Sequence, residues 1–219
     1  MKPRLLTPWA ALLLVLSAVA ANAEVTEYKI DPNHTLVGFN IRHFFARTAG
    51  RFKDFSGTVT FDDKDMSKSM VDVTIQATSI NTENERRDND LRSANFFMVD
   101  SFPTITFKST RVVAGPDNSA LVYGDLTIRG ITKPVTLDSK FLGSMGDAKA
   151  GRKIAGFEGK TTINRKDFNI VWNRTLDQGG TMLGDDVNIQ LSVEGVWRDP
   201  NAPPPQQRPP QTPTTPDKK

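Results

Sequence analysis

Cysteine is absent from all 219 residues. That excludes disulfides, thiolate nucleophiles, Cys-based zinc sites and a lipid-modified N-terminal Cys, and leaves stability to a packed core. Histidine is nearly absent too, with only His34 and His43, and their spacing matches no compact metal-ligand motif. A metal would have to recruit carboxylates around them. The alternative is two hydrogen-bonded imidazoles in turns or strands. There is no Gly-x-Ser-x-Gly elbow, no phosphate-binding glycine loop and no His-Glu-x-x-His run. A dispersed triad needs no local motif, but nothing in the sequence asks for one. Beyond residue 20 there is no apolar run long enough to span a bilayer.

The one long apolar run lies at the start. Met1-Lys2-Pro3-Arg4 precedes Leu5–Ala20, and small residues follow at Ala21-Asn22-Ala23. This is the layout of a cleaved secretory signal, so residues 1–23 are expected to be removed and the mature chain to be exported, soluble and periplasmic. Past Ala23, 26 basic residues face 25 acidic ones, and no basic field remains to attract nucleic acid. Eight of the 14 prolines fall in Pro200–Lys219 among Gln, Thr and Asn. Such a stretch cannot bury enough apolar area to offset chain entropy and is expected to be a disordered tail, either a solubilising spacer or a ligand for a partner's groove.

Residues 24–199 then form one domain, in which apolar positions recur mainly with period two. Val37-Phe39-Ile41, Phe55-Val59-Phe61, Val71-Val73-Ile75, Ile105-Phe107, Val122-Leu126-Ile128, Val135-Leu137 with Phe141, Ile154–Ile163 and Val187-Ile189-Leu191-Val193 read as eight strands. Turn signals separate them at Asp31-Pro32-Asn33, Asp62–Asp65, Gly115–Asn118 and Gly143–Gly151. About eight antiparallel strands make a barrel or a sandwich, and glycines inside strands favour a sheet that bends to close.

Thr82–Phe107 breaks the alternation. Thr82 followed by Glu85 fits a capping box, acids fill the first turn, and Glu83–Arg87 and Asp88–Arg92 are spaced i,i+4, which predicts a short helix over about 83–95. Arg86, Arg87 and Arg92 suit a phosphate or quinone oxygen, or else intrahelical pairing. Phe96, Phe97 and Phe102 suit a ligand cradle or the core.

Several ordered words in residues 27–197 carry a resemblance. They are Tyr28-Lys29-Ile30-Asp31 with His34-Thr35, Val37-Gly38-Phe39, Ile41-Arg42-His43, Arg87-Asp88 with Leu91-Arg92-Ser93, and Phe96-Phe97. Further on come Gly124–Gly130 with Thr132–Val135, Ile163-Asn164-Arg165 with Asp167-Phe168, Trp172 and Gly184-Asp185. With these the chain resembles the YceI-like family of exported polyisoprenoid-binding proteins. It departs at Asn169, where the family commonly has Gly, at Asp90, where His is frequent, and in its Pro-rich tail.

The resemblance implies an all-β protein, a closed, lipocalin-like antiparallel barrel of about eight strands with one short helix near an end. It implies an isoprenoid lipid, such as a polyprenyl phosphate or quinone, in an apolar channel, and no catalytic residues, metal or cofactor. Expected lining residues are Val37, Phe39, Ile41, Leu91, Phe96, Phe97, Phe107, Phe168 and Trp172, with His43, Arg87, Arg92 and Arg165 near the head group. A transient membrane contact and a homodimer are compatible with this reading. The competing readings are a hydrolase or isomerase built on His43, Arg87 and an Asp, and an interaction scaffold that works through its tail.

Overall fold

A computed structural model describes residues 25–147, 151–177 and 179–201. The expected signal segment and, beyond Asn201, the tail lie outside the described residues. Eleven strands follow in chain order: β1 (Val25–Ile30), β2 (Leu36–His43), β3 (Ala46–Phe52), β4 (Phe55–Asp62), β5 (Met70–Gln76), β6 (Ile80–Asn81), β7 (Thr104–Ala114), β8 (Ser119–Ile128), β9 (Ile131–Asp147), β10 (Arg152–Asn164) and β11 (Leu183–Arg198). One helix, α1 (Glu85–Arg92), sits between β6 and β7.

The pairings form one antiparallel sheet in the order β1-β4-β5-β7-β8-β9-β10-β11-β2-β3-β6, closed by β1 on β11. The order is simpler than it looks. β1 and β2 lie end to end along β11, with Lys29 opposite Val196 and Leu36 opposite Ser192. In the same way β3 and β4 form one broken line, and β5 and β6 another. Counting each line once leaves eight staves in sequence order, an up-and-down barrel closed by β1 on β11. The breaks fall at residues 31–35, 53–54 and 77–79.

Each of the eight strands expected from alternation lies on a different stave. The turn expected at Asp31-Pro32-Asn33 is present, with the His34 amide donating to the Asp31 carbonyl at 3.3 Å, but it kinks the stave instead of reversing it, because the chain resumes along the same partner. Three tight turns show their chemistry. Arg129 and Gly130, at φ +50° and +71°, join β8 to β9 in two residues. Asp117 and Asn118 sit at φ +54° and +61° between β7 and β8. Asn169, at φ +57°, ends the 3-10 turn Arg165–Phe168 in the left-handed region, which Asn tolerates better than other residues with a side chain.

Helix α1 is shorter than expected and capped differently. Asn84 is the N-cap, its side chain accepting from the Arg87 amide. The expected i,i+4 pairs are replaced. Glu83 lies near Arg51 and Lys53 instead, and Asp88 is buried against Thr82.

Two apolar clusters fill the barrel wall. The larger includes Phe52, Phe55, Ile80, Phe96, Phe107 and Phe168; Ile80 and Phe168 are each 1% exposed. Burying one such side chain contributes about 1.5–3 kcal/mol. The smaller joins Tyr28, Val59, Phe61 and Ala155, with Phe141 and Phe157 against them. The larger starts at the helix end, where α1, the β2–β3 turn and the β8–β9 turn gather, and continues along β7 and β8 through Val122 and Val112 to Ala120. The smaller lies toward the opposite end.

Candidate functional site

Closure of the barrel puts one face of every stave inside, and the period-two pattern makes that face apolar. In the β2–β11 pair, Val37 opposes Leu191, Phe39 opposes Ile189 and Ile41 opposes Val187. All six line one cavity of about 780 Å³. Val187, Ile189, Leu191 and Val193 point inward yet stay only half-buried, because what they face is hollow. A cavity of this size is within the range of small-molecule sites.

Aromatic rings shape both ends of the hollow. Toward α1, Phe39 packs on Phe52 and Phe52 edge-on against Phe97, each with ring centres 5.8 Å apart, while Phe96 meets Trp172 at 5.3 Å. At the other end Phe61, Phe141 and Phe157 form a trio with centres 4.5–5.5 Å apart. Two glycines make room for rings. A methyl at Gly50 would overlap the Phe39 ring and lie 2.8 Å from Thr82 Cγ2, and one at Gly124 would lie 2.5 Å from Phe107.

Polar side chains enter the lining mainly at the ends. The helix end carries His43, Thr48, Thr82, Asn84, Arg86, Arg87 and Asp90. Arg86, Arg87, Asn84 and Asp90 line the cavity and are exposed to solvent, which marks an opening beside α1. Asn118 and Lys140 stand in the lining at the opposite end.

A buried latch positions this rim. Asp88 Oδ1 accepts from the Thr82 amide at 2.9 Å and the Thr82 hydroxyl at 2.5 Å. Arg87 Nε donates to that same hydroxyl, and its Nη2 to the Thr82 carbonyl. Arg87 is therefore tethered, whereas Arg86 stands exposed in the wall.

Of the residues expected at the site, Val37, Phe39, Ile41, His43, Arg87, Leu91, Phe96, Phe97, Phe107, Arg165, Phe168 and Trp172 all line the cavity. Arg92 is not among the lining residues. Its Nε donates to the Thr78 carbonyl, Nη2 to the Ile80 carbonyl and Nη1 to Asn89, so it fastens α1 to β6. Arg165, 3% exposed, is also a fastener. It donates to the carbonyls of Gly184, Ile170 and Trp172 and to Asp185, locking the segment after β10 onto the start of β11. Burial draws its pKa down, while Asp185 opposes the shift. Asp185 is in turn held below the usual carboxylate range, first by the Lys166 ammonium at 2.8 Å and also by the charge of Arg165.

Sequence reasoning overlooked Thr48, Thr82 and Asn84 in the lining. Thr82 was read as part of a capping box, and Asn84 was given no role. Thr48 lies on β3, whose inward positions (Ala46, Thr48, Gly50) are too small to register as alternation.

His34 lies apart from His43, on the kink between β1 and β2. Its Nδ1 is 3.0 Å from Asp31 and 3.7 Å from Glu194. The hydrogen bond to Asp31, then the charge of Glu194, raise the imidazole pKa, and His34 lowers that of Asp31. These three offer ligand atoms within 4.8 Å of one another, the set among the described residues best placed for a cation. Ion pairing already accounts for their geometry.

The chain matches the YceI-like domain over residues 28–195. Protein YceI of Salmonella arizonae is 46% identical over 183 residues, which is 82% of this chain and 89% of that protein. The Campylobacter jejuni YceI crystal structure aligns with a TM-score of 0.63 at 30% identity, over 70% of this chain and 87% of that one. Burkholderia cenocepacia BcnA, at 24% identity, shares the fold with a TM-score of 0.66, over 75% and 98% of the two chains. A Saccharophagus degradans domain described as polyisoprenoid-binding aligns at 0.56 and 13% identity, over 80% and 99%. Sequence words, barrel and inward-facing pattern agree: the chain belongs to the YceI-like family.

Proposed function

We propose that this protein is an exported, periplasmic binding protein that holds an isoprenoid lipid lengthwise in the barrel, with its polar head at the α1 opening. The observation that carries the reading is the apolar cavity of about 780 Å³ with a cationic and polar rim. Each methylene moved from water into such a lining contributes about 0.8 kcal/mol, so a multi-unit prenyl tail is strongly retained. Arg86, Arg87 and His43 supply donors for a phosphate or a quinone oxygen. The structural likeness to a domain described as polyisoprenoid-binding supports the ligand class. Export rests on the character of residues 1–23.

The chemistry favours retention over catalysis. Among the described residues His43 makes no hydrogen bond to a carboxylate, and the Phe44 ring meets its imidazole edge-on at 4.6 Å. A general base without an orienting partner is poorly set for proton transfer. Organic extraction of natively purified protein, followed by mass spectrometry, tests the proposal. A prenyl lipid in the extract is expected. Its absence, together with no binding of added prenyl quinone or prenyl phosphate, overturns the proposal.

A further inference from the structure

The β2–β3 turn contradicts ordinary hairpin chemistry. His43 pairs with Ala46, so the loop is two residues long, and both are phenylalanine. Phe44 sits at φ +52°, a position where Gly or Asn carries the least steric cost. Phe45 is 105% exposed and Phe44 40%. Neither ring is needed to make the turn, and Phe45 buries nothing within this chain. A local choice that opposes both turn geometry and solvation points to something outside the fold.

The surrounding charge has one sign. Residues 32–53 contain Arg42, Arg47, Arg51 and Lys53 and no Asp or Glu. Arg51 and Lys53 approach Glu83, at 3.6 and 4.0 Å. Arg42 and Arg47 flank the tip, and among the described residues neither has a carboxylate within ion-pair distance. Arg42 donates to the carbonyls of Phe44 and Thr181, Arg47 to Asn40. Asp185, whose pKa Arg42 helps to lower, is already paired with Arg165 and Lys166. The α1 side of the rim is mixed, with Glu85 and Asp90 beside Arg86 and Arg87, so uniform positive charge is confined to the hairpin.

The tip also stands at the cavity. Ile41, His43 and Thr48, on the two strands it joins, line the hollow, and Met182, whose carbonyl accepts from the Phe44 amide, lines it too. We propose that the Phe44–Phe45 tip docks on an anionic phospholipid bilayer, the rings entering the headgroup boundary while Arg42 and Arg47 face the phosphates. An exposed aromatic pair flanked by unneutralised arginines is the composition that such an interface selects. The proposal rests on the lipid-carrier reading, since docking there sets the channel opening against the membrane that supplies or receives the lipid.

Vesicle flotation tests it, using the chain as isolated from producing cells, with its N-terminus established by intact mass and identical in every variant. Vesicles of phosphatidylglycerol with phosphatidylethanolamine are compared with vesicles of pure phosphatidylcholine, and uptake of a soluble fluorescent prenyl alcohol is measured in parallel. The wild type is expected to float with anionic vesicles at low salt and to be released at high salt. Phe45→Ser lowers that association about tenfold, as losing burial of one phenylalanine implies, and Arg42→Gln with Arg47→Gln does likewise. All variants take up the prenyl probe as the wild type does. Docking is overturned if the wild type ignores anionic vesicles, floats equally with neutral ones, or floats unchanged after Phe45→Ser. It is also overturned if Phe45→Ser abolishes a wild-type dimer, because a second copy then covers the tip. If flotation behaves as expected while no prenyl probe enters any variant, docking stands and the carrier reading falls.

Discussion

Asp88→Ala leaves the Thr82 amide and hydroxyl buried without their acceptor. A cost of about 2–3 kcal/mol is expected, read as a lower denaturation midpoint with an unchanged slope. The arginines nearby divide by what they touch. Arg92→Ala removes donors from the Thr78 and Ile80 carbonyls and should lower stability while sparing lipid retention. Arg86 has the opposite placement, exposed and in the cavity wall. Arg86→Glu should weaken a prenyl phosphate about tenfold, leave a neutral prenyl alcohol unaffected, and leave the melting temperature unchanged. His34 gives a pH signature. Its raised pKa means that its contribution is full below the ordinary imidazole value and is lost as pH rises through the raised one. Asp31, with its pKa lowered, contributes above the ordinary carboxylate value and fails only in stronger acid. The thermal midpoint should therefore decline as pH rises past the ordinary imidazole value of about 6.5 and through the raised one, and His34→Gln should flatten the decline.

At the scale of elements, strand phase was legible because period-two alternation needs only local residues. Val187, Ile189, Leu191 and Val193 were assigned one face, and all four face the channel. What alternation could not show was which strands are halves of one stave. For β1 and β2 that depends on pairing with β11, a partner more than a hundred residues away. β3 escaped notice because Gly50 and Ala46 carry little apolar signal. The helix was visible in outline, but its cap was misplaced, since Thr82 is claimed by the tertiary bond to Asp88 before it can serve as an N-cap. Likewise Arg92 and Arg165 looked like head-group ligands because sequence shows charge and not the carbonyls that fold against it. Gly50 states a packing rule for β3. Gly50→Ala should push the Phe39 ring into the hollow, cost about 1–3 kcal/mol by overpacking, and shorten the longest prenyl chain accepted, measured by competition among chain lengths.

For the molecule as a whole, a hollow interior links lipid to stability. Ligand at a hundred times its dissociation constant adds about 2.7 kcal/mol, so delipidated protein should melt earlier and recover when prenyl lipid returns. Ile189→Trp offers a complementary measurement. It fills space that Ile189 only borders, so binding should fall sharply while stability changes by less than about 1.5 kcal/mol. The seam of the barrel carries a further consequence. β11, 16 residues long, is the shared partner of β10, β1 and β2, which makes the last strand among the described residues the one that joins the two ends of the sheet. Until it is laid down there is an open trough with no inside. A fragment that stops short of β11 can gather apolar surface but encloses no cavity, so under the proposed lipid-binding function capture has to wait until β11 is in place.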